Sequence, residues 1–202
     1  AVYFPVAAWV WGGGWIMNLG TTLFGEDSGI AVIDYAGGTA VHMNAGAAAL
    51  ALALILGKRI GFKPGIQKPH NVPLTLTGAA LLWFGWFGFN AGAEWLNGMA
   101  NTGLIILNTL GAAATGILGW LVVEKIRNGK PTAVGAASGA VSGLVAITPA
   151  CANLTPAWAL LLGAVTGVVC AIAVDWKFRL GYDDSLDVVG IHLVGGMIGT
   201  LY

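Results

Sequence analysis

Charge is excluded from long stretches of this chain: residues 1–25, 35–57, 71–93, 95–123, 131–174 and 188–202 contain no Asp, Glu, Lys or Arg. A bilayer crossing needs about 20 predominantly apolar residues, and a lone segment in lipid must satisfy its backbone internally as a helix. The runs therefore predict an all-α polytopic membrane protein. Composition points the same way, with 57% hydrophobic residues, 9% charged residues and a mean hydropathy of +0.80. Ordinary soluble domains lie well outside those values. The formal net charge is zero, and no strongly basic or acidic block points to nucleic acid or a polyanionic partner.

The run 131–174 is too long for one helix, and Thr148-Pro149 and Thr155-Pro156 divide it into two spans joined by a short hairpin. Helices are expected near 35–57, 71–93, 98–124, 131–148 and 156–176 of a single transmembrane domain. Residues 1–17 read as the tail of a preceding helix and 187–202 as the start of another. The chain opens inside an apolar run without a basic region or small-residue cleavage site, so its start is not read as a signal peptide. Both ends are expected to be cut within an element.

Every Lys and Arg falls in one of three loops: Lys58, Arg59, Lys63 and Lys68; Lys125, Arg127 and Lys130; Lys177 and Arg179. Two spans separate each loop from the next. The intervening connections, near Glu26 and Asp27, near Glu94 and at 149–155, carry no cation. By the positive-inside rule the basic loops are cytoplasmic, which predicts a multi-pass protein of the cell membrane. Glycines at four-residue intervals, Gly135, Gly139 and Gly143, Gly163 with Gly167, and Gly195 with Gly199, predict close helix contacts. Cys151 and Cys170 lack metal-ligand spacing, and neither a cofactor nor an enzymatic activity is expected.

With charge excluded from the spans, two intramembrane histidines stand out, His42 and His192; His70 lies in a basic loop. Asp34 precedes His42 by eight residues and Asp184 precedes His192 by eight. The loop assignment sends the first helix inward and the second outward, so the two are antiparallel. Eight residues at 1.5 Å each place each imidazole roughly 12 Å below its own surface, within a hydrocarbon layer about 30 Å thick. Both rings should lie near the midplane, as in an inverted-topology repeat. Either histidine alone is also accounted for by a hydrogen bond to a neighbouring helix. Asp34 and Asp184 are equally readable as helix N-caps, with Asp187 able to replace Asp184. Neutral imidazole offers one donor and one acceptor nitrogen, which suits passage of a small polar solute such as ammonia, whereas a bare cation at that depth meets a large desolvation cost.

WVWGGGW at 9–15, DYAGGTAVHMNAG at 34–46, GKRIGFKPGIQKPHN at 57–71, GWFGFNAG at 85–92, SGLVAITPAC at 142–151 and DVVGIHLVGG at 187–196 resemble, in the same order, the ammonium transporter, methylammonium permease and Rhesus family. The bacterial ammonium transporter branch is the more similar. The resemblance implies a fragment of an eleven-helix inverted-repeat fold, with helices five to nine and parts of four and ten. It also implies a homotrimer with one pore per subunit, transport of ammonium, ammonia or methylammonium as solute, and, by analogy, a cytoplasmic regulatory partner. On this resemblance His42 and His192 match the twin pore histidines, Trp11 the tryptophan that recruits the cation, and Phe89 the inner phenylalanine of a stacked gate. Asp34 matches the aspartate supporting the recruitment site, and Trp86, Asn90 and Asp184 are supporting positions. An indole face attracts cations, although Trp11 also fits the interfacial anchoring common among membrane tryptophans, and Phe89 fits ordinary packing.

The chain departs from the family pattern at Ala93, where serine is common, removing a hydroxyl from the expected vestibule. The segment from Trp11 to Asp34 is also longer and carries Glu26 and Asp27. Two other readings compete: an ammonium sensor on the same fold, and a membrane electron-transfer protein with haem ligated by both histidines. For zinc or copper, only Cys170, Met43 and Met197 are eligible further ligands by type. An inverted repeat without most of its first half leaves pore-lining surfaces open, so residues 1–202 alone are expected not to transport.

Overall fold

The computed structural model describes residues 1–28, 32–63 and 69–202. Lys68, counted with the first basic loop, and part of the 57–71 motif lie outside the described residues. Among the described residues the secondary structure is helical throughout, with five helices long and apolar enough to cross a membrane: Gly38–Leu56, Val72–Trp95, Thr102–Asn128, Ala133–Ala150 and Pro156–Leu180. In chain order the α-helical elements are α1 (Tyr3–Trp11), α2 (Leu19–Phe24), α3 (Asn44–Leu56), α4 (Val72–Gly92), α5 (Thr102–Asn128), α6 (Ala133–Ile147), α7 (Pro156–Ala173), α8 (Trp176–Leu180) and α9 (Val194–Leu201). Two π-helical segments, Gly38–Met43 and Val189–Leu193, lead directly into α3 and α9.

Local chemistry sets the boundaries. The Asn71 side chain accepts the Leu74 N–H at 2.9 Å, and Pro73 occupies the first turn of α4, where its missing N–H costs nothing. Thr132 caps α6 by accepting the Gly135 N–H at 2.9 Å, while Glu124 near the end of α5 accepts the Thr132 N–H at 2.7 Å. One cap thus fixes both the start of α6 and the turn that leads to it. The first helix stops at Trp11 rather than near residue 17, because Gly12 leaves helical geometry and Gly13 takes a φ of 76°.

The helices pack backbone to backbone. A Cβ on Gly143 or Gly163 would stand 2.1 or 2.2 Å from the Ala112 carbonyl oxygen, and one on Gly167 2.2 Å from that of Gly116. Helix α5 is therefore clasped between α6 and α7 by glycines that admit no side chain. Close approach of this kind substitutes for the hydrophobic drive that lipid removes.

Ion pairs gather the basic loops at one end of the bundle. Arg59 reaches Asp183 beyond α8, donating from its backbone N at 2.8 Å and its Nε at 2.6 Å. Arg127 at the end of α5 pairs with Asp175 at 2.6 Å. At the opposite end, the Tyr35 and Ala36 N–H groups donate to the carbonyls of Pro149 and Thr148 at 2.9 and 3.2 Å. Asp34 thus sits at the end remote from Asp183 and Asp184.

Candidate functional site

The first half of the site begins with Asp34. Its buried carboxylate accepts backbone N–H groups from Gly37 (3.0 Å), Gly38, Thr39 (2.9 Å) and Ala40 (3.0 Å). Gly37 has a φ of 117°, which allows the chain to fold back over the carboxylate. Burial pushes the Asp34 carboxyl above the usual range, against the four amide donors that pull it down. The same role recurs in the second half, where Asp184 accepts the Val188 and Val189 N–H groups at 2.9 and 2.7 Å. Asp187 instead pairs with the Lys177 ammonium and takes a φ of 58°. Both eight-residue Asp-to-His intervals therefore begin at a carboxylate cap.

Each cap feeds a π turn that ends on the histidine. The Gly37 carbonyl accepts from both Val41 (2.9 Å) and His42 (3.0 Å), and the Val194 N–H reaches back to Val189. Such widened turns mark functional positions in many helices. The two elements run antiparallel, because their contacts climb one sequence as they descend the other. The Thr39 and Thr200 hydroxyls lie 3.3 Å apart. A Cβ on Gly196 would meet Met43, and one on Gly46 would meet Leu193.

The crossing brings the rings together. His42 Nδ1 and His192 Nδ1 are 3.3 Å apart, with ring centroids separated by 5.3 Å at 40°. His42 is 4% exposed. Trp86 stacks on it at 5.1 Å and 19°, and Phe89 lies 6.0 Å away. The Trp86 indole N–H donates to Thr148 Oγ1 at 2.9 Å, and the same oxygen lies 3.3 Å from His42 Nε2. A cavity of about 560 Å3 adjoins both rings, with Val41, Leu81, Trp86 and Phe89 in its wall. Apart from the imidazoles and the Trp86 indole the lining is aliphatic or phenyl, which disfavours an unpaired charge and leaves the ring nitrogens as polar stations.

The remaining expected positions fall around this centre. Trp11 donates its indole N–H to the Asp34 carbonyl at 2.7 Å and leaves much of its ring exposed. Asn90 turns toward α5, donating to Thr109 Oγ1 at 3.0 Å, and is fully buried. Ala93 packs partly buried against a core of Ile105, Ala112 and Ile147. Thr148, which the sequence presents as half of a turn signal and as one position of the SGLVAITPAC stretch, contacts both His42 and Trp86. Gly46 and Gly196 also border the pair, and their signal lies in the sequence: each is four residues after one of the two histidines.

A bundle of membrane-length helices in which two antiparallel segments deliver contacting histidines to an apolar cavity defines a polytopic membrane protein with a histidine-lined interior. The chain belongs to the Ammonium Transporter Family, whose model matches residues 1–202. It is 54% identical over 209 residues to an ammonium transporter of Mycobacterium tuberculosis and 50% identical over 203 residues to one of Bacillus subtilis. Those matches cover 99% of this chain but 41% and 46% of the relatives, so the chain spans less than half their length. Among solved structures, Saccharomyces cerevisiae Mep2 aligns with a TM-score of 0.84 at 42% identity, covering 99% of this chain and 43% of that one. A sensor Amt protein aligns with a TM-score of 0.83 at 34% identity, covering 99% and 50%. The fold is accordingly part of the ammonium transporter architecture.

Proposed function

We propose that this chain is the pore-bearing part of a transporter that carries ammonium or methylammonium across the cell membrane. The observation behind the reading is the 3.3 Å contact between the Nδ1 atoms of His42 and His192 beside an apolar cavity. The cation is concentrated near Trp11, supported by the capped loop of Asp34, and gives up a proton near Phe89 to water on the outer side of the apolar cavity. The neutral solute then passes His42 and His192 by hydrogen bonding to the imidazoles, because an ion would lose its hydration against these walls. Trp86 and Asp184 act in support, the first by stacking on His42 and the second by capping the helix of His192. Asn90 acts at one remove, by joining α4 to α5. A homotrimer with one path per subunit, and a regulatory partner docking on the face of the basic loops, belong to the same proposal by family resemblance.

A haem between the rings is disfavoured by the contact itself, since nitrogens 3.3 Å apart leave no space for an iron porphyrin between them. A sensor is the second reading, favoured by the likeness to a sensor Amt protein. The test is uptake of labelled methylammonium into liposomes containing the full-length protein. Saturable uptake that ammonium competes away is expected. Ammonium binding without flux would replace transport with sensing.

A further inference from the structure

We propose that Thr148 fixes the direction of the hydrogen bond between His42 and His192, so that His192 Nε2 is the free base presented to the cavity. The inference rests on reading the two histidines as the pore, and it follows from counting protons around one hydroxyl. Thr148 Oγ1 has three neighbours: the Leu144 carbonyl at 2.7 Å, Trp86 Nε1 at 2.9 Å and His42 Nε2 at 3.3 Å. An indole N–H can only donate, and a carbonyl can only accept. The Thr148 N–H is taken by the Val145 carbonyl where α6 tightens at its end, so the buried Leu144 carbonyl is the short-range acceptor for the hydroxyl proton. Trp86 occupies one lone pair of Oγ1. The remaining lone pair faces His42 Nε2, which must therefore carry a hydrogen.

A neutral imidazole protonated on Nε2 has a bare Nδ1. His42 Nδ1 is then the acceptor in the contact with His192, and His192 Nδ1 is the donor. That leaves His192 Nε2 without a proton. His192 lines the cavity, and its Nε2 has no hydrogen-bond partner among the described residues. A solute N–H entering between Phe89 and the rings finds its acceptor on His192 and not on His42. Thr148 is thus a positioning residue that acts through His42.

Ring-15N magnetic resonance of the full-length protein in lipid tests this, with signals assigned from His42→Gln and His192→Gln variants. The expected spectrum has His42 protonated at Nε2 and bare at Nδ1, and His192 protonated at Nδ1 and bare at Nε2. Thr148→Val should scramble that polarity and lower methylammonium flux by about tenfold or more, the scale set by leaving a buried donor without a partner. Thr148→Ser should restore both. If Thr148→Val fails to fold, the native spectrum alone decides. A proton on His42 Nδ1 in the native protein, or unchanged polarity in a folded Thr148→Val, overturns the proposal. The pore reading fails on a different result, namely native flux after loss of the histidines.

Discussion

Gly46 faces Leu193 across the crossing of the two π-bent helices so closely that a Cβ there would lie 2.5 Å from the Leu193 backbone nitrogen and 2.5 Å from its Cβ. The reciprocal contact joins Gly196 to Met43, with the nearest Met43 atom 3.0 Å from a Cβ. Each glycine lies four residues beyond its histidine and receives the residue that follows the other histidine. The separation of the imidazoles is therefore set by two absent side chains.

Gly46→Ala should force the helices apart, since backbone cannot yield as a side-chain tip can. Overpacking of this kind costs about 1–3 kcal/mol. The expected readouts are a lower melting temperature of the full-length protein and loss of the Nδ1–Nδ1 contact in its spectrum. Gly196→Ala meets a flexible methionine as well as the Gly38 carbonyl and should have the smaller effect.

Asp34→Asn should loosen the π turn that carries His42. A carboxylate accepts the four amide hydrogens on two oxygens, whereas an amide has one oxygen and adds two donors of its own. A cost of at least about 2 kcal/mol is expected from charge-assisted bonds lost at a buried site. Thermal denaturation and methylammonium flux of the full-length variant would both fall; a wild-type melting curve would contradict the capping role.

The spacing of aspartate and histidine makes the antiparallel pair legible in the sequence, because a period and a loop charge suffice to orient a helix. What stayed hidden was the fine geometry. A π turn leaves no composition signal, so the widening at Gly38–Met43 and Val189–Leu193 was invisible. Thr148 read as a turn marker because it precedes a proline, yet the hydroxyl at the end of α6 is what touches His42. Asn90 sits in a motif rich in family resemblance, and its side chain serves the packing of α4 on α5. Short polar side chains carry two meanings in a sequence, and only packing chooses between them.

The link between the first and third basic loops should depend on acidity with a definite sign. Hydrogen bonding from the Arg59 guanidinium holds the Asp183 carboxyl down to about 2, below the ordinary aspartate value of about 3.9. A group depressed on folding contributes stability that is complete above its unfolded value and lost as pH falls through the folded one. The melting-temperature difference between native protein and Asp183→Asn should be constant above about pH 5 and shrink toward pH 2. A difference that grows on acidification would contradict the pairing.

Trp86→Phe keeps an aromatic face over His42 while deleting the only hydrogen that the indole gives to Thr148. A stability loss of about 1 kcal/mol is expected for one neutral buried hydrogen bond. Denaturation midpoints of the full-length protein check the magnitude, and a loss several times larger would mean that the stacking had also been disrupted.

The proposed role of the touching imidazoles of His42 and His192, as the lining of the solute's route, is open to a direct test. Flux of labelled methylammonium into liposomes holding the full-length protein, compared between native protein and a His42→Ala, His192→Ala double variant of equal folded content, addresses it directly. Saturable uptake displaced by ammonium is expected to disappear in the double variant. Native uptake with native selectivity in that variant would contradict it.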